Sequence, residues 1–447
     1  MKKLILILTV LCFSTSLFSQ SDESIQNDNN SNNQIFGEWR DISIPEFSFS
    51  IPEISFPEMG INIPEFNFTM PETNFSVPKL NFEEFAMVIP DFPTPEISFE
   101  GEIFNEGPNV FAGSARGNYK YEIEKRIEER FKVNANCKLC IDNRFGKIEI
   151  VEWDKNEIAF DILITGMANS EKGAQAALDC IDVDFSSGAN VVNAKTKACD
   201  KNMNKSEYKI DYVVKVPASV VMDLRNRYGN IYLTDVQKDL SVDISYGHLY
   251  AHNLKGNKNI INSKYGNVEI NEVTSSLNID KRYGSKCVIN KASNLTASIH
   301  YSSITAQNIE KLNLDIKYSN ADIETVTEAS ISSGYSKVYI DNLVSSYRGS
   351  VNYGNLEIRD VDMAFSLIDV SARYSGVRLG LTKEHSFDAD LLTYYGSIKL
   401  RGLTASQGME KEKENNKDSV RAIFGNKTST DAKVTVDSRY GDIIVGK

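Results

Sequence analysis

Residues 226–250 read NRYGNIYLTDVQKDLSVDISYGHLY, and one whole structural period lies inside this stretch. Tyr228-Gly229 opens it and Tyr246-Gly247 reopens it 18 residues later. Between them Ile231, Leu233 and Val236, then Leu240, Val242 and Ile244, alternate with polar residues as two short strands with one face inward do. The same mark, Tyr followed by Gly or Ser, recurs at Tyr228, Tyr246, Tyr265, Tyr283, Tyr301, Tyr318, Tyr335, Tyr353, Tyr374, Tyr395 and Tyr440. The steps are 18, 19, 18, 18, 17, 17, 18, 21, 21 and 45 residues. A unit this short cannot bury its apolar face alone, whereas stacked copies share one core. The pattern predicts an all-β chain whose residues 226–447 form a parallel β-solenoid of about 18-residue coils.

Counting from each Tyr defines columns. Three residues on stand Ile231, Leu249, Val268, Lys286, Ile304, Ala321, Val338 and Leu356; five on stand Leu233, Ala251, Ile270, Val288, Ala306, Ile323, Ile340 and Ile358. Eight on, the column is aliphatic except at Lys291. The Tyr continues the parity of the strand before it, which predicts an inward ring and a structural ladder at about 4.8 Å spacing. The next residue, Gly or Ser, turns the corner by close approach or positive φ. Position seven (Asp235, Asn253, Glu272, Asn290, Asn308, Thr325, Asn342, Asp360) reads as a corner ladder bonding neighbouring backbones.

Outside the periodic part, residues 1–19 have a basic start at Lys2 and Lys3, an apolar run from Leu4 to Phe13 and a small-residue exit, the pattern of a secretion signal. Cys12 follows Leu11 rather than a small residue, which argues against a lipid anchor. Residues 20–43 are rich in Asn, Ser and Asp and read as a disordered linker. Residues 44–100 repeat an apolar-Pro-acid unit with Phe beyond it, and this Pro/Phe-rich segment reads as extended chain lying against the solenoid or a partner. Residues 117–225 read as a β-rich N-terminal cap region with one helix near Ser170. A charged insertion at about 408–433 reads as a solvated loop.

The net charge of −12 argues against nucleic acid as a partner, and no segment after the signal is long and apolar enough to span a membrane. Cys180 and Cys199 are a possible disulfide; Cys137 and Cys140 have C-x-x-C spacing without further ligands nearby. The four histidines share no ligand spacing and read as surface residues. No catalytic, cofactor-binding or metal site emerges. The candidate binding face is the basic column preceding the tyrosines, Arg227, Lys264, Arg282, His300, Lys317, Arg373 and Arg439, beside outward Asp243, Asp280, Asp315 and Asp437. The plainer reading of these columns is a soluble sheet face with weak ion pairs; the functional one is a flat polar surface for a glycan or protein.

RFGKIEIVEWDKNEI (144–158), YVVKVPASVVMDLRNRYGNIYL (212–233) and the closing SRYGDIIVGK (438–447) resemble pieces of the putative adhesin family of bacterial β-solenoid proteins, with its auto-transporter adhesin head-like domains. The resemblance covers about 130–447 and implies a non-enzymatic binding or adhesion module of a Bacteroidetes-type cell envelope, in the periplasm, on the outer-membrane surface or outside the cell. It brings no catalytic residues. A scaffold that self-associates end to end is the alternative, and a polysaccharide lyase or hydrolase stands behind it.

Overall fold

The computed structural model describes residues 119–198 and 206–447 in full, and the backbone of four short strands near the N-terminus. The signal segment, the 20–43 linker, most of the Pro/Phe segment and Cys199 lie outside the described residues. Phe47–Ile51 pairs antiparallel with Phe66–Met70, and Ile54–Phe56 pairs antiparallel with Ile61–Ile63. The described part of the segment is thus paired into antiparallel ladders.

Residues 119–447 are all-β with a long, mostly parallel sheet, consistent with a β-solenoid; the helix described there, Glu171–Asp179, starts with the Ser170 hydroxyl accepting from the Gly173 amide. The centre is regular. Val268–Arg282, Lys286–His300, Ser303–Lys317, Asn320–Gly334 and Lys337–Asn352 each pair in parallel with the next, so Ile279, Ala297, Leu314 and Ile331 stand in one buried column. Each repeat is a rung, named here by its aromatic corner residue.

The Tyr283 rung departs from simple counting. Val268 pairs with Cys287 rather than Lys286, and Val273 pairs with Ala292 rather than Lys291. One extra residue after Tyr283 moves Cys287, Ile289 and Ala292 inward and turns Lys286, Val288 and Lys291 outward. The anomalous lysine of the aliphatic column is thus a shift of register by one, which flips every side chain.

At both ends, rung order departs from chain order. Lys138–Arg144 and Ile148–Trp153, joined through Phe145, lie between Val221–Arg227 and Ile231–Leu233 on one side and Val191–Ala198 and Ser206–Pro217 on the other. The last strands, Lys433–Arg439 and Ile443–Val445, lie between Leu367–Arg373 and Gly376–Leu379 on one side and Phe387–Tyr394 and Ile398–Leu400 on the other. The charged insertion is not a loop: Ala405–Glu414 and Lys417–Phe424 form an antiparallel hairpin whose second strand pairs with Phe387–Tyr394. Its outer strand, ASQGMEKEKE, is exposed almost throughout, as are the charges of Tyr121–Lys132 (YEIEKRIEERFK) at the opposite end. Charged antiparallel strands at both ends make poor templates for another sheet.

The corners invert the expected division of labour. Each ladder tyrosine has positive φ, from 50° at Tyr374 to 62° at Tyr228, and the glycine after it does not. Gly247 is required by proximity instead: a Cβ there would stand 1.9 Å from the Gly229 carbonyl oxygen. In other rungs serine takes this place and bonds across, Ser302 N–H to Ser319 Oγ and Ser319 N–H to Ser336 Oγ, each at 3.1 Å. Gly247→Ala should lower stability by about 3 kcal/mol, because backbone rather than a mobile side chain must move. Urea unfolding measures it, and a midpoint equal to wild type would refute the close-packed corner.

Candidate binding face

In the left-handed conformation the strand alternation ends at the tyrosine, so its ring swings outward instead of following Ile244 or Ile316 into the core. The rings do not point inward as parity predicts; from Tyr246 onward they are 40–56% exposed. They form one column in the order Phe145, Tyr228, Tyr246, Tyr265, Tyr283, Tyr301, Tyr318, Tyr335, Tyr353, Tyr374, Tyr440, Tyr395. Neighbouring centroids are 4.6 Å (Tyr374–Tyr440) to 5.3 Å (Tyr283–Tyr301) apart, with ring planes within 16° of parallel. Because each ring covers its neighbour's face, the surface offers solvent a row of ring edges and phenol groups.

Phe145 heads this row, and the tyrosine spacing alone does not reveal it. The signal was present: NRFGKIEI (143–150) matches NRYGNIYL (226–233) in spacing, and Phe145 has φ of 64°. Tyr208 closes the end of the stack edge-on at 5.3 Å.

The residue before each aromatic also faces outward, so cations stand beside the ring edges. Parallel register aligns Arg144, Arg227, Ser245, Lys264, Arg282, His300 and Lys317 in one column, continued through Gly334 and Asn352 to Arg373, Arg439 and Tyr394. All seven basic residues read from the sequence fall here, with Arg144 added. They are not equivalent. Arg282 forks onto Asp280 through two bonds of 2.8 and 2.9 Å, while Lys317 and His300 share Asp315 at 3.2 and 3.3 Å. No described carboxylate lies within ion-pair distance of Arg144, Arg227, Lys264, Arg373 or Arg439. Arg144 lies over the Phe145 ring at 4.9 Å, and Arg439 over Tyr394 at 5.7 Å. The middle of the column is therefore neutralised or uncharged, and unpaired cations gather toward its two ends.

Further round the same face a shallow polar groove of about 280 Å³ crosses four rungs, with Lys311, Glu328, Asn313 and Arg348 on its rim. Tyr232 and Tyr250, on the outer side of the other strand, stack at 5.2 Å.

The corner ladder sits elsewhere than expected. At position seven the bonds join side chains only, Asn253 to Asp235 at 2.8 Å and Asn290 to the preceding column's Asn271 at 3.2 Å. Backbone bonding falls two residues after the tyrosine. There the His248 amide donates to Asn230 Oδ1 at 2.9 Å, the Asn267 amide to His248 Nδ1 at 3.0 Å, and the Lys286 amide to Asn267 Oδ1 at 3.3 Å. His248 is thus a buried structural residue and not a surface one. His385 is buried too, its Nδ1 accepting from the Thr382 amide and its Nε2 donating to the Val361 carbonyl. His252 and His300 are half-buried beside Asp235 and Asp315.

Lys281 and Cys287 break the apolar interior at the shifted rung. Both are fully buried, and the Lys281 ammonium has no hydrogen-bond partner. Burial pushes the lysine pKa down and the Cys287 thiol up to about 12. Cys137 and Cys140 are free thiols; Cys180 is in a disulfide whose partner lies outside the described residues. Among the described residues, no three His, Cys, Asp or Glu side chains gather where they could hold a metal ion.

No protein-family model and no curated protein matches the chain. Solved structures do. A putative adhesin from Parabacteroides distasonis is similar at 10% identity and a TM-score of 0.35, over 57% of this chain and 97% of its own. A putative adhesin from Parabacteroides merdae is similar at 12% identity and 0.36, over 57% and 95%. A putative lipid binding protein from Parabacteroides distasonis is similar at 13% identity and 0.26, over 57% and 96%. No helix among the described residues is long and apolar enough to cross a membrane.

His248 gives the corner a pH dependence. Burial lowers its pKa below the ordinary 6.5, so the unfolded chain binds the proton first. Its contribution to stability is complete above about 6.5 and declines as pH falls from there toward the depressed folded value. His248→Asn, whose carbonyl can accept the same amide, should flatten this part of the stability profile between about pH 7.5 and 5.5. Urea titrations across that range measure it; an unchanged acid slope in the variant would remove His248 from the explanation.

Proposed function

We propose that this protein is an exported, non-enzymatic binding or adhesion module of a bacterial cell envelope, built as a closed parallel β-solenoid of about 18-residue coils. Its binding face is the aromatic column with the cations beside it, and its ligand is a glycan or a protein surface. The observation that carries this reading is the strained, exposed ladder. Eleven tyrosines and Phe145 all adopt left-handed backbone, at roughly 1–3 kcal/mol each. Each stacked contact returns about 0.5–1.5 kcal/mol, so stability alone gains little over Asn or Gly at these corners. A long row of ring edges and phenol groups flanked by unpaired Arg and Lys is instead what a polar ligand can use. Export rests on the sequence of residues 1–19.

The scaffold alternative, stacking end to end, is disfavoured by the charged antiparallel strands at both ends. An enzyme would need a cluster of carboxylates or a positioned base; of the four acids named on this face, Asp280 and Asp315 are tied to Arg282, Lys317 and His300.

Binding to an array of immobilised bacterial and mucin-type glycans and to a panel of extracellular-matrix proteins tests the assignment. The double variant Arg227→Ser/Lys264→Ser should weaken the best binder by about tenfold or more and reduce its salt sensitivity. Arg282→Ser/Lys317→Ser, which removes cations already neutralised by aspartates, should weaken it about threefold or less. Equal effects of the two pairs would defeat the assignment of the face, as would unaltered binding in both.

A further inference from the structure

The rung that ends the chain is an internal one. Strands 433–439 and 443–445 fill a slot between the Tyr374 and Tyr395 rungs and are bonded on both sides. Toward the Tyr374 rung, the Lys433 amide donates to the Ser366 carbonyl at 3.0 Å and the Gly446 amide to that of Leu379 at 2.8 Å. Toward the Tyr395 rung, the Asp388 amide donates to the Ala432 carbonyl at 2.9 Å and the Arg401 amide to that of Val445 at 2.8 Å. Val434, Val436, Ile443 and Val445 are buried in the shared core.

This order constrains assembly. The chain lays down the Tyr374 rung, then the Tyr395 rung, then the hairpin of Ala405–Glu414 and Lys417–Phe424, and only afterwards supplies the strands that belong between the first two. Without residues 433–447, the two flanking rungs would face each other across a one-rung gap lined by unpaired amides and carbonyls. The segment that fits the gap is joined to the hairpin only by residues 425–432.

We propose that the C-terminal rung is an exchangeable insert: the slot of one copy accepts the 433–447 segment of a second copy, giving a dimer joined by reciprocal strand insertion. Every hydrogen bond and core contact of the rung is reproduced in the exchanged form, so only the connection through 425–432 differs. The face that carries the ladder remains continuous in the exchanged form, because the incoming Tyr440 still stacks between Tyr374 and Tyr395. This route needs no exposed sheet end, and so is compatible with the charged edge strands found at both ends.

Ser371 and Asp437 are register partners on the outer face of adjacent strands and report who occupies the slot. One full-length preparation carries Ser371→Cys and a second carries Asp437→Cys; they are mixed, unfolded in urea and refolded together at high concentration. The expected result is a disulfide-linked heterodimer, identified by the 371–437 cross-linked peptide in a digest, in a dimer fraction that grows with concentration. A chain carrying both substitutions, refolded dilute, should form the same disulfide within one monomer, which establishes the native slot and its folding. Deleting four residues from 425–432 should shift the full-length protein toward dimer, since the segment then reaches its own slot less easily. A double-cysteine chain that cross-links within itself, together with no mixed heterodimer at any concentration, would overturn the proposal.

Discussion

The repeating rungs of residues 138–447 depend on parallel backbone hydrogen bonding that recurs at one strand spacing, about 4.8 Å. Parallel pairing in register places each residue against its counterpart in the next rung, so a property of one repeat becomes a property of a column. Ile279, Ala297, Leu314 and Ile331 become a core column, and Arg282, His300 and Lys317 a charged one. The same constraint makes errors expensive: Tyr283 is followed by one extra residue, and the register change puts Cys287 inside and Lys286 out. Lys281 is buried in the same rung.

The corner is where this repetition meets steric limits. Rungs one strand apart bring backbone against backbone, and at Gly247 there is no room for a Cβ beside the Gly229 carbonyl. The bend must then be made by the residue before it, and in every rung that residue is aromatic with φ near +55°, as in Tyr265 at 56°. Strain of the backbone and stacking of the rings are of the same order and opposite sign, roughly 1–3 against 0.5–1.5 kcal/mol. The ladder is therefore close to neutral for stability, and the surface it presents is its distinguishing product.

How much of this could be read from the sequence follows from which features are local. The 18-residue recurrence of Tyr-Gly and the alternation of Leu240, Val242 and Ile244 are local, and they led to the parallel sheet and its core. The basic column was also legible, since residue identity and spacing place Arg227, Lys264 and Arg373 together once register is regular. The direction of the tyrosine ring was not, because strand parity cannot foresee a left-handed residue, and Tyr is a rare choice for one. Phe145 was hidden by its identity, and the backbone-bonding role of His248 by its place two residues after the tyrosine instead of seven. The hairpin at 405–424 looked like a loop because alternating Glu and Lys serve an exposed edge strand as well as solvated coil. The order of the last rungs was invisible for a deeper reason: spacing in sequence carries no information about insertion, and the 45-residue step fits a loop or an interposed rung equally well.

Net charge and local charge point in different directions in this molecule. The chain as a whole carries −12, which disfavours polyanions at long range. Screening at physiological ionic strength limits any single charge to about 8 Å, less than two strand spacings. Within that radius Arg144 stands beside Arg227 and over the rings of Phe145 and Tyr228, with Asp142 two residues before it on the same strand. Asp280 and Asp315 act in the same way on the middle of the column, cancelling Arg282 and Lys317 where they stand. Unpaired cations thus stand toward both ends of the column and paired ones in its middle, a pattern fixed by register in a chain that the overall charge would lead one to call acidic.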